Sequence, residues 1–236
     1  MSINYLYRAS PKFYTKVMYF IFAYGIRFIN ILFNRQKGIL IYAGVNEGDS
    51  LTRIFYKFKR CICIEANPNL CKKLKKLFYF NNVEVYNYLL GPKNGQGFLN
   101  VYKSNSTNST LSKIYNQKII KRIKVKMTRL DTLLNNLKIK YINFYISDLE
   151  GLDFEVLKTL KSFIDSKKIN YIQHECIINK RRNPYVKFSN YEYLFNNLLK
   201  KNYNKLASGL GKLKIGYHKK MSPKSTYKDV LWKVKN

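Results

Sequence analysis

Short, unbroken apolar runs alternate along the chain with segments of helical periodicity. The runs at 38–43, 61–65, 83–90, 141–146 and 169–176 predict buried strands. The segments 50–59, 69–80, 152–163 and 191–201 space their apolar residues three and four apart, which predicts helices packed on a sheet. Strands separated by helices are typical of a parallel sheet with helices on both faces, so we predict an α/β fold.

Weaker patterns complete the predicted sheet. Extended segments at 97–102 and 122–128 flank a polar loop, 104–116, and late extended segments at 213–217 and 230–234 predict an antiparallel edge hairpin. No repeat or Pro/Ser-rich linker divides the chain. We therefore predict an N-terminal helical extension, 1–37, followed by a single domain, 38–236.

The N-terminal extension contains an apolar stretch at 12–33 that Arg27 interrupts. Its longest unbroken part is shorter than the ~20 residues that span a bilayer, and no small-residue cleavage site follows it. Two interpretations are open: a helix packed across the domain, or a basic amphipathic helix lying on an anionic membrane. We predict a cytoplasmic protein, with peripheral membrane contact through 12–33 as the alternative.

The charge of the chain is strongly unbalanced, with 44 Lys+Arg against 13 Asp+Glu and a net charge of +31. A hydrophobic content of 46% excludes a disordered chain. Codon bias toward A and T explains the excess of Lys and Asn, while a basic surface for nucleic acid is the alternative. Four cysteines are too few for a disulfide scaffold and predict reduced thiols in a cytosolic protein. Because acids are scarce, each cluster of them is informative.

The first cluster lies at two strand ends. A Gly44-Val45-Asn46-Glu47-Gly48 turn follows the first strand, and Glu65 ends the second, where an acid can bind both hydroxyls of a ribose. In the alternative interpretation, the glycines serve only the turn and Glu65 only caps the next helix. The turn also carries Glu47 and Asp49, which would repel a pyrophosphate. The charge therefore favours a cationic adenosine cofactor, S-adenosylmethionine (SAM), over NAD or ATP.

Two further groups follow the later strands. Asp148 and Glu150 come directly after a buried strand and are predicted to face the cofactor pocket, whereas Asp153 and Glu155 are interpreted as acids of a helix N-terminus. His174, beside Glu175 near the end of the next strand, is either a general base or a structural residue.

These residues, in this order, resemble the FkbM-type family of SAM-dependent methyltransferases over roughly 38–178. The family patterns are Gly-Ala-Asn-x-Gly, Glu-Pro/Ala-Asn-Pro, Ala-Leu-Gly, Ser-Ser-Leu, Thr-Leu-Asp, Asp-Val-Glu-Gly and a strand-end Glu. The corresponding segments are Gly44-Val45-Asn46-Glu47-Gly48, Glu65-Ala66-Asn67-Pro68, Leu89-Leu90-Gly91, Ser109-Thr110-Leu111, Arg129-Leu130-Asp131, Asp148-Leu149-Glu150-Gly151 and Glu175.

The resemblance implies a Rossmann-like class I methyltransferase fold, a mostly parallel seven-stranded sheet with an antiparallel edge. It implies methyl transfer from SAM to a hydroxyl of a sugar, glycan or secondary metabolite. The residues that it assigns to the cofactor are Gly44, Asn46, Gly48, Glu65, Ala66, Asn67, Leu89 and Asp148. Two positions depart from the family: Tyr42 stands where an Asp is usual, and Ile146 where a Lys is usual.

A hydroxyl acceptor requires a base, and the candidates for catalysis are His174, Asp148, Glu150 and Glu175. The three carboxylates with His174 could instead hold a divalent metal that acidifies the hydroxyl, although no metal-ligand spacing supports a metal site. Two rival functions are a nucleic-acid methyltransferase that uses the basic surface and a non-catalytic binding protein on a decayed methyltransferase fold.

Overall fold

The apolar runs form strands because β-branched and aromatic side chains cover both faces of a buried sheet. The computed structural model describes residues 37–79, 82–102, 109–110, 118–178, 190–208 and 227–236, with positions 21, 25, 28 and 29. The strands among these residues are β1 (Lys37–Ala43), β2 (Phe58–Ile64), β3 (Val83–Tyr86), β4 (Leu89–Leu90), β5 (Gly95–Tyr102), β6 (Ser109–Thr110), β7 (Ile119–Thr128), β8 (Ile142–Ser147), β9 (Ile169–Ile177), β10 (Tyr203–Ser208) and β11 (Tyr227–Val234). The α-helices are α1 (Pro68–Leu77), α2 (Leu130–Asn136), α3 (Asp153–Thr159), α4 (Lys161–Asp165) and α5 (Glu192–Leu199).

Seven strands form the main sheet, in the order β10-β11-β9-β8-β1-β2-β3. Neighbouring strands from β3 to β9 are parallel, and β11 is antiparallel to both β9 and β10. The predicted mostly parallel seven-stranded sheet with an antiparallel edge is confirmed. The edge differs in detail, because β11 pairs with β10 and the predicted partner, 213–217, lies outside the described residues.

A second sheet of four strands, in the order β4-β7-β5-β6, branches from the main one. It contains the two extended segments predicted around the polar loop, now β5 and β7. The single strand predicted over 83–90 is wrong, since its residues are divided between β3 and β4. The chain turns out of the main sheet at Asn87, whose side-chain amide donates to the carbonyls of Glu65 (2.9 Å) and Ala66 (3.0 Å).

Two predicted helices differ from the structure. The segment 50–59 forms two 3-10 turns, Leu51–Arg53 and Phe55–Lys57, because Phe58 already pairs with Lys37 in the main sheet. The apolar spacing still holds, since Leu51 and Phe55 are fully buried. The helix predicted over 152–163 is divided at Leu160 into α3 and α4.

Each face of the main sheet has its own apolar core. On what we call the α3 face, α2 to α5 pack over one cluster, whose central side chains include Tyr145, Val156, Leu157 and Phe195. On the α1 face, α1 and the 3-10 turns pack over a second cluster that includes Leu51, Leu74 and Phe144. Helices on both faces agree with the predicted fold class. Because side chains alternate along a strand, consecutive residues of β8 or β9 belong to different faces.

Little of the predicted N-terminal extension lies within the described residues. Positions 21, 25, 28 and 29 are helical, and the side chains of Ile21, Phe28 and Ile29 are exposed by 60%, 63% and 48%. In the part of the chain that the structure describes, no helix combines the length and apolarity needed to cross a membrane. All four cysteines are buried and form no disulfide.

Candidate functional site

The turn after β1 has a backbone that few side chains tolerate. Gly44, Asn46 and Gly48 adopt positive φ angles of 81°, 56° and 87°. The amide of Asp148 donates to the Ala43 carbonyl (3.0 Å), so the exit of β8 crosses directly over Gly44. A Cβ at Gly44 would lie 1.9 Å from the Asp148 carbonyl oxygen. The glycine therefore permits the two strand ends to approach each other.

Gly48, by contrast, is required for packing. A Cβ at Gly48 would lie 2.7 Å from Cδ2 of Leu74, on α1. Gly48 is not among the residues that line the cleft described below. Its predicted contact with a cofactor is replaced by a role in seating α1 against the turn.

Glu65 connects the two loops at the ends of β1 and β2. Its Oε2 accepts a hydrogen bond from the Asn46 amide (2.9 Å), and its Oε1 accepts one from the Asn67 amide (2.8 Å). The residue is 7% exposed, and burial raises the pKa of Glu65, an effect that these two amides oppose. Asn67, whose Oδ1 accepts from the Asn69 amide (3.0 Å), is the cap of α1. Glu65 therefore does more than support the start of α1, since it also bonds the turn after β1.

A cleft opens at the carboxyl ends of these strands. Its empty volume, open mouth included, is about 620 Å³. The predicted residues that line it are Gly44, Asn46, Glu65, Ala66, Leu89, Asp148 and Glu150. Asn67, predicted beside the cofactor, caps α1 instead, and neither Glu175 nor His174 is among the lining residues.

The second sheet supplies a wall of this cleft that sequence reasoning missed. Leu89 of β4 packs with Leu99 of β5 and Met127 of β7, and Leu99 reaches the cleft. Tyr88 also lines the cleft, with the Lys126 ammonium 5.5 Å from its ring centroid. The position of Tyr88 directly before Leu89 was a signal, but only the pairing of β4 with β7 brings the β5–β7 hairpin over the cleft.

Asp148 and Glu150 occupy the loop that closes the opposite side of the cleft. This loop has two residues with positive φ, Glu150 at 51° and Gly151 at 94°. The Asp148 carboxyl reaches solvent through the cleft, but protein surrounds it on its other sides. That burial, followed by the charges of Glu150, Asp153 and Asp229, raises the pKa of Asp148 well above its usual value.

Asp153 supports this loop from the α3 face. The carboxylate is fully buried and accepts hydrogen bonds from the Leu149 amide (3.3 Å) and from Nδ2 of Asn190 (3.1 Å). Burial raises the pKa of Asp153 to about 7. Glu155, on the same helix, forms an ion pair with Lys158 (2.9 Å) on the protein surface.

Asn190 joins three elements at this point and was not predicted. Besides its bond to Asp153, its Nδ2 donates to the Glu175 carbonyl (2.9 Å), and its Oδ1 accepts from the Phe154 amide (2.9 Å). The residue is fully buried. One asparagine thus holds the β8 loop, the start of α3 and the end of β9 in register, and nothing in the local sequence marks it.

Glu175 lies one strand beyond Asp148. Residue pairing places Ile146 beside Gln173 and Glu175 beside Asp229, so the side chains of Gln173 and Glu175 share the α1 face with Asp148. Glu175 is half-buried. Burial, and then the charge of Asp148, raises the pKa of Glu175 well above its usual value.

His174 points to the other face, and the interpretation as a general base needs correction. Its Nε2 accepts a hydrogen bond from Nε1 of Trp232 (3.0 Å), and its ring stacks on Phe195 with centroids 3.6 Å apart. It is 1% exposed, and burial lowers the pKa of His174 to about 3. Its basic nitrogen is occupied inside the core, so His174 is a structural residue.

The same geometry removes the alternative metal set. Alternation along β9 separates His174 from the carboxylates of the α1 face. Among the residues that the structure describes, no group of three or more His, Cys, Asp or Glu side chains is arranged to hold a metal ion.

Both departures from the family pattern are core positions. Tyr42 and Ile146 belong to the α1-face cluster and are almost fully buried. Burial, and then the charge of Asp148, raises the pKa of Tyr42. Neither side chain is among those lining the cleft. The usual Asp and Lys of the family are thus replaced by packing residues.

The family model of the FkbM methyltransferase domain matches residues 43–206, well over half of the chain. The chain belongs to this family. This FkbM domain includes the Gly44 turn, Glu65 and the Asp148 loop, which are the segments that form the cleft. The suspected family is therefore confirmed, and with it the methyltransferase class. A search of the curated proteins found no match.

Several solved structures resemble the FkbM chain in fold. One is an S-adenosylmethionine-dependent methyltransferase from Clostridium acetobutylicum, with 9% identity over 91% of each chain and a TM-score of 0.44. An rRNA methylase from Streptococcus thermophilus has 8% identity over 85% of this chain and 89% of that chain, with a TM-score of 0.47. TrmK of M. capricolum, solved with S-adenosyl-homocysteine (SAH), has 10% identity over 89% of this chain and 66% of that chain, with a TM-score of 0.44. At these identities the likeness concerns the fold alone.

The residues of the cleft fit SAM. Among the described residues, Oδ1 of Asn46 is buried without a hydrogen-bond partner, as expected where a ligand supplies the donor. The acids that line the cleft, Glu65, Asp148 and Glu150, favour a cationic ligand.

Proposed function

We propose that this FkbM-family protein transfers a methyl group from SAM to a hydroxyl of a sugar, glycan or secondary metabolite. The observation that carries the proposal is the placement of Asp148. Its carboxyl opens into the same cleft as Gly44 and Glu65, and burial and neighbouring acids raise the pKa of Asp148. A carboxylate with a raised pKa is a stronger base than an ordinary one, which is what a hydroxyl acceptor requires.

Two groups are proposed to hold the cofactor. Glu65 accepts hydrogen bonds from the ribose hydroxyls through the lone pairs that the Asn46 and Asn67 amides leave available. Gly44 lets the backbone approach the ligand closely. When bound, SAM supplies an electrophilic methyl group on a sulfonium.

The protein then contributes alignment and proton transfer. Asp148 accepts the proton of the acceptor hydroxyl, and Glu150, on the same loop, adds negative charge that keeps this carboxylate basic. Asp153 and Asn190 are positioning residues, because they hold the loop without reaching the cleft. Correct alignment of the reacting atoms supplies much of the rate in such transfers.

Calorimetric titration with SAM tests the cofactor. We expect wild-type protein to bind and Glu65→Ala to weaken binding about 100-fold, since the hydrogen bonds of a carboxylate are charge-assisted. Glu47→Ala is the matched control, because Glu47 is exposed on the same turn and does not line the cleft. No binding by folded wild-type protein would favour the non-catalytic alternative.

Transfer of a radiolabelled methyl group from SAM tests the acceptor class. We expect label to enter hydroxylated sugars or secondary metabolites as a methyl ether, identified by mass spectrometry. Label that resists alkali distinguishes an ether from a methyl ester. Label recovered only in nitrogen or carbon positions would contradict O-methylation.

A specific surface favours a second candidate, the nucleic-acid methyltransferase. On the outer face of the β5–β7 hairpin, Arg122, Lys124 and Lys126 are exposed, and Phe98 lies opposite Lys124. Cations beside an exposed aromatic ring suit single-stranded RNA. This candidate predicts RNA affinity that falls steeply with salt, which fluorescence anisotropy with labelled RNA would measure.

The cytoplasmic location is also a proposal. It is supported by four buried cysteines that form no disulfide, as expected in a reducing compartment. Fractionation of cells that express the tagged full chain would test it against the membrane-peripheral alternative.

A further inference from the structure

Three hydrogen-bond acceptors lie together beyond the cofactor side of the cleft. Asp148 follows β8, and Gln173 and Glu175 lie on β9, the next strand in the main sheet. Strand pairing and alternation place all three on the α1 face.

Among the described residues, no Lys, Arg or His forms an ion pair with Asp148 or Glu175. The charges that act on Glu175 are all negative. In a chain with 44 Lys+Arg and only 13 Asp+Glu, two neighbouring acids that no described Lys, Arg or His neutralises form a suitable site for a cationic group of a ligand.

Gln173 is an independent observation that points to a ligand. It is 5% exposed, and Oε1 of its side-chain amide is buried without a hydrogen-bond partner. Buried polar atoms in proteins are nearly always bonded, so we take this oxygen, on the face of β9 that Glu175 shares, as a position for a ligand's donor. Because Gln173 is two residues before Glu175, both side chains lie on one face of β9.

Strand order separates this group from the cofactor. Glu65 follows β2, and β1 and β8 lie between β2 and β9. With strands ~4.8 Å apart, Glu175 is three strand spacings, roughly 14 Å, from Glu65, whereas Asp148 is two, roughly 10 Å. Glu175 and Gln173 are therefore on the acceptor side of Asp148.

We propose that Glu175 and Gln173 bind a protonated amine of the acceptor, so that the methylated compound is an amino sugar or a similar amino alcohol. This inference rests on the proposed function and narrows its substrate class. An ammonium group offers three donors, of which the Glu175 carboxylate and the Gln173 amide oxygen accept two. The amine fixes the acceptor while its neighbouring hydroxyl is presented to Asp148, which stays available as the base.

Binding to a matched pair of oligosaccharides tests the proposal. The probes are a glucosamine trimer and its N-acetylated counterpart, titrated by calorimetry into protein saturated with SAH below neutral pH, where the amines are protonated. We expect wild-type protein to bind the amine form at least about tenfold more tightly, because charge-assisted hydrogen bonds contribute about 1.5–3 kcal/mol. Equal affinity for the two trimers would overturn the proposal.

Variants test which residues produce the preference for the amine trimer. Glu175→Gln should abolish the preference for the amine while leaving SAM affinity unchanged, and Gln173→Met should reduce it several-fold. Glu155→Gln, which removes a charge that Lys158 already neutralises, is the control and should keep the full preference. An equal loss in Glu175→Gln and Glu155→Gln would reduce the effect to net charge and overturn the proposal.

The result of the trimer titration can be distinguished from a failure of the proposed function. SAM affinity and methyl transfer to neutral hydroxyl compounds are measured without the amine probes. Methyl transfer without any preference for the amine would remove the present inference alone. Absence of SAM binding would remove the proposed function, while the trimer titration without SAH would still measure the amine preference.

Discussion

The two faces of the main sheet differ in how their titratable side chains are partnered. On the α3 face, His174 is bonded to Trp232, and Asp153 is bonded to Asn190 and to the Leu149 amide. On the α1 face, Asp148 and Glu175 have no cationic partner among the described residues. His174 and Glu175 are consecutive, yet His174 is enclosed in a core and Glu175 is half-buried on the opposite face. The bonded groups of the α3 face hold the structure together, whereas we propose that a ligand completes Glu175.

The largest expected effect is on the pH dependence of stability. Burial raises the pKa of Asp153 to about 7, above its unfolded value of roughly 3.9. The contribution of this raised pKa to the free energy of unfolding is therefore fully present below about pH 4. It is lost as pH rises to about 7, and the loss is on the order of 4 kcal/mol in total. Urea unfolding at several pH values should show Asp153→Asn gaining stability relative to wild type across this window. A stability difference between Asp153→Asn and wild type that does not change with pH would contradict this prediction.

Asp148→Asn tests the acids of the α1 face. We expect kcat to fall about 100- to 1,000-fold, because general-base catalysis typically contributes that much, equivalent to roughly 3–4 kcal/mol. Stability should not fall, since the change removes repulsion from Glu150. Asp165→Asn is the control, because Asp165 is exposed in an ion pair on α4. Label transfer from SAM measures the rate, and an unchanged rate would exclude Asp148 as the base.

Asn190→Ala tests the supporting network. It removes three hydrogen bonds at once, one each to Asp153, the Phe154 amide and the Glu175 carbonyl, so urea unfolding should show a loss of about 2–3 kcal/mol. Asn202→Ala, which removes a single hydrogen bond to the Ile164 carbonyl, should lose about 1 kcal/mol. Similar losses in the two variants would mean that Asn190 joins the elements less tightly than its contacts indicate.

Trp232→Phe gives the smallest effect and sharpens the contrast at β9. It leaves Nε2 of His174 buried without a donor, which should cost about 1–2 kcal/mol of stability. Methyl transfer should stay within about twofold of wild type, since neither ring is in the cleft. A large loss of the methyl-transfer rate in a stable variant would mean that His174 takes part in catalysis.

Most of the fold could be predicted because its strands are continuous apolar runs. The runs at 38–43 and 169–176 became β1 and β9 with shifts of a residue at their ends. The failures are local: 50–59 has helical spacing but forms 3-10 turns, since sheet pairing begins at Phe58. The run at 83–90 gives no sign of its division, because the bend depends on the hydrogen bonds of Asn87 to another loop.

For the site, the sequence by itself determined which loops meet, because strand ends in a parallel sheet share one edge. It placed Gly44, Glu65 and Asp148 at that edge, and the structure gathers them in one cleft. Only the tertiary structure decided the face of each side chain. Alternation relative to the helical layers sent His174 into the α3-face core and Glu175 to the α1 face, and contacts distant in sequence brought in Tyr88, Leu99 and Asn190. Hydrophobic periodicity determines where strands and helices form, whereas contacts distant in sequence determine the chemical environment of their side chains.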